Sequence, residues 1–284
     1  MKNKMMSRTI LAAAVLSMTA LALGISVFAA QSITIKGSDT MLLLGQRWSE
    51  VFMAKNPDVT IQVMGGGSGV GIAALINGST DICESSRPIK PSEIDKLKER
   101  FNSAGVEIAV ARDGLSVYVN EVNTVTEITM DQLKQIYLGK ITNWKDVGGK
   151  DARIIMYGRE NSSGTYAFFR EHVLANQDFA AQVQTLPGTA AVVNAVAKDK
   201  AGIGYGGAAY AKGVKFLMIK KDDKSPAYEP TLENVESGKY PLSRNLFWYL
   251  RNKPTGDIKK LVDFVLSPEG QEIVSKVGYF PVNK

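Results

Sequence analysis

The 284-residue chain has one cysteine, Cys83, and one histidine, His172. One thiol cannot close an internal disulfide, and one cysteine with one histidine cannot make a zinc site of the usual kind. Neither residue has a catalytic partner placed beside it. Cys83, in an apolar strand-like stretch, is therefore expected to be a buried inert thiol, and His172, beside Glu171 late in a helix, an exposed structural residue. Dense basic runs are also missing. Lys2, Lys4 and Arg8 supply three charges of the formal +6, and the remaining charge of about +3 forms no patch for nucleic acid. A long apolar run occurs once, from Ile10 to Phe28, behind those cations and ahead of Ala29-Ala30. This is the pattern of a cleaved export signal over residues 1–29, and the lack of a following cysteine argues against a lipid anchor. An uncleaved anchor is the alternative, because the run is just long enough to span a bilayer.

What the chain does have is glycine, set with Ser and Thr at three strand-to-helix junctions. Gly37-Ser38-Asp39-Thr40 follows the strand-like 33–36, Gly65 to Gly71 (GGGSGVG) follows 60–64, and Arg159 to Thr165 (RENSSGT) follows 153–157. A glycine-rich turn that feeds a helix leaves backbone N–H groups unpaired at the positive end of the helix dipole. Hydroxyls in the first turn add donors and Arg159 adds charge, so three converging junctions would seat a small oxyanion. Catalytic loops fit less well. GGGSGVG lacks the lysine and hydroxyl of a nucleotide P-loop and the spacing of a dinucleotide fingerprint, and Val70 stands where a nucleophile elbow needs glycine. The expectation is a binding protein without metal or cofactor, and not an enzyme.

Apolar residues make up 45% of the chain and charged ones 22%, a balance that indicates a folded protein. Strands alternate with helices, which predicts an α/β architecture of two lobes with mostly parallel sheets covered by helices on both faces. The break at Asp113-Gly114 and the aromatic strand around Tyr240 to Leu250 mark two crossovers. They divide the chain into 30–112 with 246–284 as lobe 1 and 113–245 as lobe 2. A helix capped by Thr129 is expected, as is one over 177–184.

Four motifs carry a family resemblance. GSDT, GGGSG, DICESSRP and GRENSSGTYAFF are similar to those of the substrate-binding proteins of high-affinity phosphate ABC transporters, and the similarity runs from Ser32 to the C-terminal SPEGQEIVSKVGYFPV. The resemblance implies a two-lobed periplasmic binding protein of type II, monomeric, that closes on inorganic phosphate and delivers it to ABC permease subunits. By motif, Ser38, Asp39, Thr40 and Met41 would offer hydroxyl or backbone donors, with Ser68 and the N–H groups near Gly67 and Gly69 as a second contact. Ser86 and Arg87 would be the third, and Arg159, Ser163, Gly164 and Thr165 would come from the opposite lobe. One position departs from the family: better-known members place at Ser86 an aspartate that accepts the phosphate proton and so excludes sulfate. Asp39 and Glu84 are the candidates to replace it. Asn143 and Trp144 are candidate docking points for the permease, although a tryptophan such as Trp144 is more often a packing residue. The rival readings are a receptor for another oxyanion, such as sulfate or molybdate, and a secreted phosphate-ester hydrolase or adhesive protein. The hydrolase would need a nucleophile–base pair that the sequence does not offer.

Overall fold

The computed structural model describes residues 31–282, and the expected export signal lies outside the described residues. In chain order the first half of the fold comprises β1 (Gln31–Gly37), α1 (Leu42–Lys55), β2 (Val59–Met64), α2 (Ser68–Asn77), β3 (Ile82–Ser85), α3 (Pro91–Phe101) and β4 (Val106–Gly114). There follow β5 (Ser116–Val119), β6 (Glu127–Thr129), α4 (Met130–Tyr137), β7 (Ile155–Arg159), α5 (Gly164–His172), β8 (Gln184–Leu186), α6 (Thr189–Lys198) and β9 (Gly202–Gly206). The short strands β10 (Lys215–Phe216), β11 (Met218–Lys220) and β12 (Ala227–Tyr228) precede α7 (Leu232–Glu236), β13 (Ser243–Leu250), α8 (Gly256–Leu266) and α9 (Pro268–Val277). Helix ends follow local chemistry. Thr129 caps α4 in a capping box with Gln132, and Gly78 ends α2 in the left-handed conformation that a side chain would oppose.

Two five-stranded sheets result, ordered β2-β1-β3-β13-β4 and β10-β5-β9-β7-β8, with a small third sheet β12-β11-β6. The expected parallel pairs are present, β1 with β3 and β7 with both β8 and β9. Each sheet also holds antiparallel pairs: β13 with β3 and β4, and β5 with β9 and β10. Strands joined through a helix must run parallel, whereas β5 and β13 arrive directly from the other lobe and are free of that constraint. The chain leaves the first sheet along β4 and returns along β13, and the two strands pair with Arg244 opposite Asp113.

Each sheet has its own apolar core. Ile33, Ile35, Trp48, Trp248 and Leu261 fill the first, with Trp48 and Trp248 edge to face at 5.4 Å and the Trp48 Nε1–H satisfied by the Gly270 carbonyl at 2.8 Å. Tyr137, Phe169 and Tyr205 centre the second, where Phe169 and Tyr205 stack at 4.0 Å. Residues 177–184 are not a helix. Ala175 and Asn176 turn the chain with positive φ, and Phe179 stacks on Tyr166, which holds the segment irregular until β8. Trp144 takes the packing role: it is buried, with Nε1–H bonded to the Ala201 carbonyl at 2.9 Å, so it anchors the core and offers no docking surface. Cys83 is buried, and burial pushes its thiol pKa well up, as an inert thiol requires. Among the described residues no helix is long and apolar enough to cross a membrane.

Candidate functional site

The three hydroxyl-bearing junctions meet between the two sheets. The Ser38–Thr40 turn leaves β1, Ser68 opens α2, Ser86 lies in the bend after β3, and Ser163 caps α5, which Gly164 and Thr165 open. Ser38, Thr40, Ser68, Ser86, Ser163 and Thr165 are all buried. The first turn of α5 lies directly on the serines of the other lobe: a Cβ at Gly164 would stand 2.3 Å from Ser68 Oγ and 2.7 Å from Ser86 Oγ. Thr40 Oγ1 and Thr165 Oγ1 meet at 2.8 Å, and Ser68 Oγ and Ser86 Oγ at 3.3 Å.

Counting protons shows what this cluster can do. Ser68 Oγ accepts the Ser86 N–H at 3.0 Å. Ser163 Oγ, the cap of α5, accepts the N–H groups of Thr165 and Tyr166 at 3.1 and 3.2 Å. Thr165 Oγ1 accepts from Arg244 Nη2 at 3.0 Å. A hydroxyl carries one proton, so each of these three, already an acceptor, has its O–H left to donate. With the positive ends of α2 and α5 behind them, they make a donor set matched to an anion.

The charged groups are balanced. Arg159, buried at the end of β7, gives Nη1–H to Thr189 Oγ1 at 2.7 Å, Nε–H to Glu160 Oε2 at 3.2 Å, and Nη2–H to Glu160 Oε1 and Asp39 Oδ2, both at 3.0 Å. Burial pushes the Glu160 carboxyl up, but the hydrogen bond and charge of Arg159 outweigh it and leave the group below the usual carboxylate range. Asp39 also accepts the Gly66 N–H through Oδ1 at 2.9 Å, and its carbonyl accepts from the Tyr210 hydroxyl at 2.7 Å. Arg244 pairs with Asp113, with side-chain exposures of 3% and 0%. Each arginine is thus matched by carboxylate, and attraction for an anion comes from oriented dipoles more than from net charge.

Several motif assignments need correcting. Met41 packs in the first core and its N–H closes the turn onto Ser38 O at 2.9 Å. The N–H groups of Gly67 and Gly69 are bonded to Gly37 O and Ser162 O, both at 2.9 Å. Their contribution is close approach, since a Cβ at Gly67 would lie 2.6 Å from the Ser162 carbonyl oxygen. Arg87 forks onto Glu93 at 2.7 and 2.9 Å and does not join the cluster. Glu84 lies beside Gly45 and Trp248, with Oε1 accepting from Trp248 Nε1 at 3.2 Å and Oε2 buried without a partner. Burial, only partly opposed by the Trp248 bond, pushes its pKa up to about 8.

A PBP superfamily domain matches residues 26–269. A phosphate-binding protein PstS of Pseudomonas aeruginosa is 32% identical over 263 residues, covering 87% of this chain and 81% of that protein. The chain belongs to the PstS family. A PstS of Staphylococcus epidermidis is 37% identical over 248 residues, with 83% and 74% of the two chains covered. A Clostridium perfringens structure, described as the substrate-binding protein of a phosphate ABC transporter with bound phosphate, is 32% identical and superposes with a TM-score of 0.82, covering 89% of this chain and all of the other. An ABC-type phosphate transport receptor from Vibrio cholerae is 29% identical with a TM-score of 0.70 over 87% of this chain and 99% of its own.

In this PstS-family chain, the residues that motif reading overlooked are Arg244, Asp113 as its partner, Glu160 and Thr189. Thr189 had a signal: Gly188-Thr189 between β8 and α6 repeats the strand–glycine–hydroxyl–helix pattern, and Gly188 has φ 76°. Arg244 had none in local sequence, because it reaches the cluster through strand register.

Proposed function

We propose that the chain captures inorganic phosphate between two lobes, residues 30–112 with 246–284 and residues 113–245, outside the cytoplasmic membrane after loss of its export signal. It then delivers the anion to the permease subunits of an ABC importer. The observation that carries this reading is the set of buried hydroxyls, Ser68, Ser163 and Thr165, each already accepting a bond and each with a proton left to donate. Thr40 and Thr165 bond to each other across the lobes, so the anion enters by exchanging that hydroxyl–hydroxyl bond for hydroxyl–anion bonds. The exchange requires the lobes to part, and closure then brings donors from both sides onto one ligand. Ser38, Ser86 and Arg159 complete the proposed contacts. The relatives carry the names of binding proteins, and His172 stacks on Phe168 two turns along α5 from Thr165, so no imidazole base attends the hydroxyls.

Selectivity for phosphate over sulfate needs an acceptor for the phosphate proton. Glu84 cannot serve: its carboxyl is enclosed beside Gly45 and Trp248, where burial pushes its pKa up. Asp39, held at the cluster by Gly66 N–H and Arg159, supplies the carboxylate, with Ser86 offering lone pairs. Calorimetry of the mature chain against phosphate, arsenate, sulfate and molybdate tests the reading. Phosphate and arsenate are expected to bind tightly and sulfate weakly; preference for sulfate or molybdate would overturn it.

A further inference from the structure

Arg244 is the buried cation that neither the motifs nor the proposed contacts use. It lies on β13, the return strand, directly opposite Asp113 on the outgoing strand β4, so the pair sits where both crossovers run side by side. Its Nε–H and Nη2–H bond Asp113 Oδ2 at 3.0 and 2.8 Å, its Nη1–H bonds the Ser86 carbonyl at 3.2 Å and its second Nη2–H bonds Thr165 Oγ1 at 3.0 Å. The guanidinium also lies 5.3 Å from the centroid of the Phe168 ring on α5. Asp113 in turn accepts the Ala208 N–H through Oδ1 at 3.1 Å. Four of the five guanidinium N–H groups are therefore committed to protein, one of them to the Thr165 hydroxyl of the cluster.

We propose that Arg244 is a positioning residue that makes the Thr165 hydroxyl an obligatory donor to the bound anion and ties that hydroxyl to the crossover strands; this rests on the phosphate reading of the site. An arginine can only donate, so Thr165 Oγ1 must accept from it, and the single Thr165 proton then points away from Arg244. That proton is available to Thr40 Oγ1, 2.8 Å away, or to an anion oxygen. The same guanidinium pins the Ser86 carbonyl and, through Asp113, the strand that carries the chain into the second lobe. Hinge geometry and hydroxyl orientation are thereby set by one group.

The test is a double-mutant cycle on the mature chain, with phosphate as the probe. Arg244→Lys keeps a cation opposite Asp113 but loses the fork, and phosphate affinity should fall by about tenfold. In a Thr165→Val background the same substitution should cost clearly less, about threefold, because the route through the hydroxyl is gone and only the hold on Ser86 and Asp113 remains. Should Arg244→Lys fail to fold, Arg244→Met with Asp113→Asn, which leaves no buried charge unpaired, takes its place in the same cycle. An unchanged Kd for the arginine variant, or the same loss in both backgrounds, would overturn the proposal. A wild-type chain that does not bind phosphate would instead remove the functional reading on which it rests.

Discussion

Gly164 is the position where closure and ligand contact can be separated from folding by one methyl group. In Gly164→Ala the new Cβ would lie 2.3 Å from Ser68 Oγ and 2.7 Å from Ser86 Oγ, about 1 Å inside ordinary contact. Ser68 cannot simply rotate away, because its oxygen accepts the Ser86 N–H. The first turn of α5 must back off instead. A retreat of about 1 Å takes hydrogen bonds near 2.8 Å beyond the useful range, so the donors of α5 and those of the other lobe no longer reach one anion together. Loss of two charge-assisted bonds at about 1.5 kcal/mol each amounts to about 3 kcal/mol, or roughly a hundredfold in Kd. The substitution does not harm the helix, since alanine is favoured over glycine by up to about 1 kcal/mol within helices. Calorimetry should therefore show weak phosphate binding, while the melting temperature without phosphate stays level or rises. A Kd within threefold of wild type, or an equal loss of stability without ligand, would refute the argument.

Arg159→Ala should weaken phosphate binding by about 10- to 150-fold by calorimetry, the equivalent of one charge-assisted contact, and an unchanged Kd would take the second lobe's arginine out of the site. Glu84 is protonated more readily when folded, with a pKa of about 8 against an ordinary 4.5, so its contribution to stability is full below pH 4.5 and is lost as pH rises through 8. Glu84→Gln should flatten the fall in urea stability between pH 5 and 8, and an unaltered slope would show that Glu84 is not the group responsible. Because Arg159 and Arg244 are each matched by carboxylate, raising NaCl tenfold should change phosphate affinity by less than about threefold, and a steep decline would mean that net positive charge drives binding. Small-angle scattering should show a smaller radius of gyration with phosphate than without; tight binding at constant radius would end the hinge mechanism.

The parts of the site that sequence made legible are those built from consecutive residues. A strand, a glycine turn and a hydroxyl at the head of a helix need only local chain geometry, and the candidate residues Thr40, Ser68 and Thr165 meet partners of the candidate cluster, while Ser38 and Ser163 are buried beside them in sequence. The helix expected over 177–184 failed for the converse reason, since its conformation is set by Phe179 packing on Tyr166, Phe169 and Tyr205 rather than by its own periodicity. The expectation of mostly parallel sheets holds, and the strand that runs against its neighbours in each sheet is a crossover strand, β13 or β5, whose direction depends on how the lobes are joined.

The two arginines near Ser86 show the limit most clearly. Arg87 is its neighbour in sequence and, by motif, shares its contact. Ser86 and Arg87 lie in the bend after β3, where Ser85 Oγ donates to the carbonyl of Arg87 and accepts its N–H, and the side chains of Ser86 and Arg87 part. Arg87 meets Glu93 in the first turn of α3, whose carboxylate also accepts the Lys90 N–H at 2.8 Å and so helps begin that helix. Burial raises the Glu93 carboxyl, and its bonds to Arg87 and Lys90 bring the net pKa below the ordinary value, so the pair stays ionised and Arg87 stays fixed. The guanidinium that does reach Ser86 belongs to Arg244, 158 residues away, delivered by the antiparallel register of β13 with β3 and β4. For a serine at the end of a strand, the arginine in register on the neighbouring strand is a better candidate partner than the next residue along the chain.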